Sequence, residues 1–404
     1  MRKLYLIVIL FVFIILSGCK PDIILPRRRE IKDLALVRVV GIDKSEEHPN
    51  GFMITTASKR LGPGADAEIM GSGKKNETGQ GKSVLLTAEG KTEFEAVRHV
   101  QIHSDKQLFW GHVDYFLIGE EAAKENINRI IDFFTRDHEF RIKAKIYIVR
   151  GSTAKELMEQ INKTEQFIVE KLDSLGQNIK VLSTSEEMKM WELIRFLDVH
   201  GSSARVPSIY LSKQQREGTT QNLYVESNGY AILKDFKLVS FIDRDISRGI
   251  NLITNKLWSS VVVLKDPWGN DVSLEIVSSN TEVIPHFNGD SLEKVTLKTK
   301  VISNLDEIQS QIKGIEEDFI QSLEKKEAEI LKAEMEKALK KVLEYESDCL
   351  GICDRISLSS PLKWQKIKDR WHEIFTQLQY EIQVDAQIER TYELNETSGY
   401  AGRE

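Results

Sequence analysis

The sequence predicts an α+β protein of three mixed α/β domains, with small sheets, packed helices and one long helix in the C-terminal domain. Three observations carry this. Short apolar runs alternate with capped, amphipathic stretches over the first half of the chain, the pattern of a mixed sheet with helices packed on it. A strand-rich region follows. A charged stretch then repeats apolar residues at steps of three and four over many turns.

In chain order, Arg2 and Lys3 open a leader, and Leu4 to Leu16 is uninterruptedly apolar. That run suits the core of a secretory signal peptide and is shorter than the ~18–20 residues that span a bilayer. Leu16-Ser17-Gly18-Cys19 has the form of a lipobox. Small residues admit a peptidase, and the Cys19 thiolate attacks a diacylglyceryl donor. The reading is a signal peptide over 1–18, lipid attachment at Cys19 and a lipidated tether over 19–29. Two acyl chains, at ~0.8 kcal/mol per buried methylene, hold a protein stably on a membrane.

An N-terminal α/β domain is predicted over 30–182. "LALVRVVGID" (34–43) is apolar on both faces, hence a central strand, and "GFMITTA" (51–57) is its hairpin partner. Residues 61–83 form a glycine-rich polar insert, read as a flexible loop. "SVLLTAEG" resumes the sheet, and Thr92-Glu93-Phe94-Glu95 is a capping box that starts a helix. A strand over His112–Gly119, a helix over Glu120–Thr135 and a strand over Arg141–Gly151 come next, and Thr153 to Glu156 repeats the capping box. A middle domain, 183–265, has a helix near Met188–Leu197, a strand ending near Tyr210, and a hairpin whose first turn is placed at Asn228-Gly229. A helix from Asp243 and the strand "SSVVVL" close it. The C-terminal domain, 266–398, opens with strands and continues into a helix from about Leu305 to Glu346. Its stripe is Ile308, Ile312, Ile315, Phe319 and Leu323, resumed by Leu331, Met335, Leu339 and Val342. An amphipathic helix in "PLKWQKIKDRWHEIFTQL" and a strand in "QYEIQVDAQIERTYEL" end the fold.

Removal of Arg2 and Lys3 takes the net charge from −6 to −8, a balance that argues against a nucleic-acid partner. Motifs that approach chemistry fail on a residue each. Gly81-Lys82-Ser83 ends like a phosphate loop, but Asn76 stands where its first glycine belongs. His372-Glu373 and His138-Glu139 open a zinc-protease pattern, with Thr376 and Ile142 in the second histidine's place. His99 and His103 lie one helical turn apart without an identifiable third ligand. Gly201-Ser202-Ser203-Ala204-Arg205 misses the nucleophile elbow at Arg205. Cys349 and Cys353 are read as small apolar packing residues, since two thiols do not make a structural zinc site and a disulfide over so short a helical span is strained. The reading is a non-enzymatic binding or assembly protein with no catalytic residue, metal or cofactor.

The motifs, taken in order, resemble one family, the C subunits of spore nutrient germinant receptors (the Ger(x)C lipoproteins). The similarity lies in "RRREIKDLALVRVVGIDK", in "AEGKTEFEAVRHVQIHSDKQLFWGHVDYFLIGEE" with its Trp110-Gly111-His112 turn, and in "DFFTRDHEFRIKAKIYIVRGSTAKELM". It continues in "NGYAILKDFKLVSFIDRDISRGINLI" and "SPLKWQKIKDRWHEIFTQLQYEIQVDAQIERT". The chain departs from the family in the eight residues between Cys19 and Arg28-Arg29-Glu30, a longer gap than is usual, and in the length of its glycine-rich insert. The resemblance implies a three-domain fold and a subunit anchored on the outer leaflet of the spore inner membrane. It also implies integral membrane A and B subunits as partners. The block from Phe109 to His112 is then a domain corner or partner surface. The competing reading is a lipid-anchored solute-binding protein of an importer, which needs two matching lobes around a cleft.

Overall fold

The computed structural model describes residues 33–59, 83–164, 166–199, 203–214, 222–310 and 316–390. The lipobox and Cys19, nearly all of the insert, Gly81-Lys82 and the last residues lie outside them. The fold is α+β, and its strands form two sheets among the described residues.

The first sheet is built on β1 (Leu34–Lys44). β1 pairs antiparallel with β2 (Phe52–Lys59), which pairs with β3 (Ser83–Gly90). On its other side it runs parallel to β5 (Tyr115–Gly119), and its first residues pair with the short β4 (Gln107–Phe109). The sheet continues through β6 (Lys145–Arg150), β7 (Ala204–Gln214), β8 (Asn222–Lys234) and β9 (Lys237–Ile242). The residues expected as a middle unit thus supply three strands to this sheet.

β1 is apolar on both faces because helices cover both. Val40 and Ile42 join a core with α1 (Glu93–Ile102), α2 (Glu120–Arg136) and α5 (Met190–Val199). Val39 turns the other way, toward α3 (Ala154–Lys163) and α4 (Ile168–Leu182). The threonine half of each predicted capping box forms. The Glu95 amide donates to the Thr92 hydroxyl at 3.2 Å and that of Glu156 to Thr153 at 3.0 Å, and the Glu95 carboxylate accepts from the Lys91 amide at 2.7 Å.

After β9 come α6 (Arg244–Ile253) and the second sheet, ordered β10 (Ser260–Lys265), β11 (Asp271–Asn288), β12 (Ser291–Ile308) and β13 (Gln379–Arg390). The long α7 (Glu317–Glu344) packs on it, followed by α8 (Ile352–Ser359), α9 (Pro361–Ile367) and α10 (Trp371–Gln377). Its core takes in Tyr230, Ile232 and Ile242 of the first sheet.

Three expectations are corrected. Asn228-Gly229 is not a hairpin turn but an irregularity inside β8, where the register with β7 shifts between Pro207 and Ile209. Gly229 has φ +75°, and a Cβ on it would sit 1.8 Å from the Ile242 carbonyl oxygen. The turn itself is Asp235-Phe236, both at positive φ (50° and 61°), flanked by the Lys234–Lys237 pair. The long helix starts at Glu317, because Leu305 to Ile308 finish an 18-residue strand paired to β11. Finally, the helix expected after Pro361 is broken by a 3-10 turn at Lys368–Arg370.

Candidate functional site

A buried polar cluster lies where the two sheets meet. It starts with Arg205, the second residue of β7, whose side chain is 2% exposed. Its guanidinium lies 2.8 Å from the Glu186 carboxylate and donates to the Cys349 carbonyl at 2.7 Å. Phe196 and Tyr230 lend their ring faces, at 5.1 and 5.8 Å. Burial alone would depress the Arg205 pKa, but the Glu186 charge reverses this and the net direction is upward. Glu186 has a second cation, Lys256, at 3.4 Å.

The cluster extends through Tyr230, whose hydroxyl donates to Asn251 of α6, and Asn251 donates to the Ser183 carbonyl at 2.6 Å. Ser183 ends α4 in the left-handed region (φ 45°), which turns its hydroxyl to accept from the Trp258 amide at 3.1 Å. Four otherwise separate segments are thereby fixed to one another.

The loop after α7 closes the junction from the other side. Tyr345 accepts from Ser240 at 2.7 Å, Glu346 pairs with Lys234 at 2.7 Å, and Ser347 donates to the Leu233 carbonyl at 2.9 Å. Asp348 accepts from the Ile352 and Cys353 amides, at 3.1 and 2.9 Å, and from the Trp371 indole at 2.9 Å. One buried carboxylate thus starts α8 and holds α10.

Cys349 and Cys353 are both buried and unbridged. Burial pushes the Cys349 thiol up to about 12 and the Cys353 thiol upward as well, the latter aided by Asp348. Such thiols are poor nucleophiles and poor ligands. His99 shares a 2.8 Å hydrogen bond with the Glu89 carbonyl, and His103 caps the end of α1. Among the described residues no three candidate ligands are grouped for a metal. Ser83 opens β3, its hydroxyl accepting from the Ile168 amide at 3.3 Å.

In the block from Phe109 to His112, Trp110 is buried with its ring 5.2 Å from Phe140. Phe109, 38% exposed, packs on His112 at 5.5 Å, and a Cβ on Gly111 would fall 2.9 Å from the Phe109 ring. The block is a packed corner that leaves one aromatic face outside.

Two family descriptions match in tandem: "Spore germination protein N-terminal domain" over residues 27–211 and "Spore germination B3/ GerAC like, C-terminal" over residues 228–392. The chain belongs to the Ger(x)C family of spore germination proteins. Within this family it is similar to Spore germination protein B3 of Bacillus subtilis (strain 168), 24% identical, with 94% of this chain and 96% of the relative covered. Spore germination protein KC of the same organism is 22% identical, covering 96% of both chains. The crystal structure of the GerBC protein shares the fold, with a TM-score of 0.53 at 19% identity, covering 86% of this chain and 96% of that one. The Ger(x)C chain described here joins its two matched segments within one sheet, since β7 begins in the first and β8 runs from the gap into the second.

Proposed function

We propose that this Ger(x)C chain is the lipid-anchored, non-enzymatic C subunit of a spore nutrient germinant receptor. Cys19 carries the lipid on the outer leaflet of the spore inner membrane, and integral A and B subunits are the partners. The observation that carries this is one chain combining the lipobox Leu16-Ser17-Gly18-Cys19 with a family match running from 27–211 through 228–392. The junction supports a scaffold role. Its buried polar groups bind other parts of the chain, and burial drives the Tyr230 hydroxyl and both thiols toward their protonated, unreactive forms.

The test is recovery of tagged wild type and Cys19→Ala from detergent-solubilised inner membranes of dormant spores, read by mass spectrometry. Two multispanning receptor subunits should accompany the wild type and be depleted with Cys19→Ala. Recovery of an importer's permease and ATPase instead would overturn the proposal.

A further inference from the structure

β13 is a free sheet edge. It lies last in its sheet, bonded along Lys294–Asn304 to β12 and to no other strand among the described residues. Alternation sorts its side chains. Tyr380, Ile382, Val384, Ala386 and Ile388 turn toward α7, while Gln379, Glu381, Gln383, Asp385, Gln387 and Glu389 face away.

The edge is open to a ligand. Three neighbouring depressions of 410, 510 and 440 Å³ run between α7 and β13, the first and second both lined by Lys332 and Val384, the second and third by Glu336, Tyr380 and Ile382. At one end the Ile388 amide donates to the Glu324 carboxylate of α7 at 2.9 Å. Here a side-chain oxygen takes the place that a neighbouring strand's carbonyl would fill. By the two-residue period, the amides of Ile382, Val384 and Ala386 point to the same open side.

The charge on the strand selects the occupant. Its outer face carries Glu381, Asp385 and Glu389 and no cation. Lys294 of β12 holds Glu381 at 2.7 Å and keeps its carboxyl down at about 2. Among the described residues no ion pair holds Asp385 or Glu389. A second copy pairing antiparallel through β13 would set acid against acid, which is unfavourable across strands. We infer that the β13 edge, with its groove against α7, receives an extended segment of another polypeptide. That segment has basic residues on one face and apolar ones at the positions between, and adds a fifth strand to the sheet.

This inference rests on the reading of the chain as an assembly subunit, but its test needs no germination assay, so each can fail alone. The full chain, as Cys19→Ala to avoid lipid, is titrated with a short peptide alternating valine and lysine. Controls alternate valine and glutamate, or replace the central valine by proline. The lysine peptide should bind about tenfold more tightly than the glutamate peptide and slow amide exchange in 380–388, and the proline peptide should do neither. Asp385→Lys with Glu389→Lys, both exposed and expected to leave the melting temperature unchanged, should invert the charge preference. Unchanged exchange in β13 at saturating peptide, or an unaltered preference in the double variant, would overturn the inference. So would sedimentation showing a dimer that β13 substitutions dissociate.

Discussion

A buried guanidinium costs several kcal/mol unless matched, and removing one partner of a buried pair costs more than removing both. Arg205 and Glu186 are such a pair, at 2% and 5% exposure. Arg205→Met should therefore destabilise the chain by about 3–5 kcal/mol, because Glu186 keeps only the half-exposed Lys256. Adding Glu186→Leu should restore most of that loss. Urea unfolding of the wild type, both single variants and the double variant checks this, and a double-variant loss equal to the sum of the two single losses would show that the pair does not act as a unit. Nothing local in the sequence reveals this role. Arg205 stands out there only as the residue that spoils an elbow motif, since its partners come from other elements, Cys349 being 144 residues away. The caps at Thr92 and Thr153 are legible because their partners lie three residues on.

Among the elements, α7 shows the same division. The apolar stripe from Phe319 to Val342 gives its buried face, yet it does not locate the start of the helix, because Leu305 and Ile308 satisfy strand and helix periods alike. What decides is pairing with β11, a contact between distant segments. The stripe also has a gap between Leu323 and Leu331, and Glu327 fills it, fully buried. One of its oxygens accepts from Ser303 at 2.6 Å, and burial raises its carboxyl from 4.5 to about 7. A raised carboxylate pKa means that the folded state holds the proton more tightly than the unfolded one. Stability from this group is complete below about pH 4.5 and is lost as pH rises to about 7. Over that window the wild type should lose about 3 kcal/mol relative to Glu327→Gln, which keeps an acceptor for Ser303 and has no proton to lose. Denaturant midpoints at several pH values read the difference, and parallel curves for the two proteins would refute it.

For the whole molecule, the question is whether the two sheets behave as one body. An interface rich in apolar contacts resists relative motion, whereas a small polar one permits it. Here Tyr230, Ile232 and Ile242 of the first sheet share a core with α7 and the second sheet, and the segment from Tyr345 to Cys349 ties back to Ser240, Lys234, Leu233 and Arg205. α6, which leads out of the first sheet, lies against α7 closely enough that a Cβ on Gly249 would stand 2.4 Å from the Glu334 carbonyl oxygen. Beside it, Arg248 donates to the Glu334 carboxylate, at 2.7 Å through Nε. The wild type should accordingly unfold in one calorimetric transition, its van't Hoff and calorimetric enthalpies agreeing. Gly249→Val forces α6 off the α7 backbone and should divide that transition in two, while leaving each sheet folded at low temperature. A single transition that merely moves to lower temperature would instead place the coupling in the Tyr345–Cys349 loop, where Ser347→Ala is the next substitution to measure.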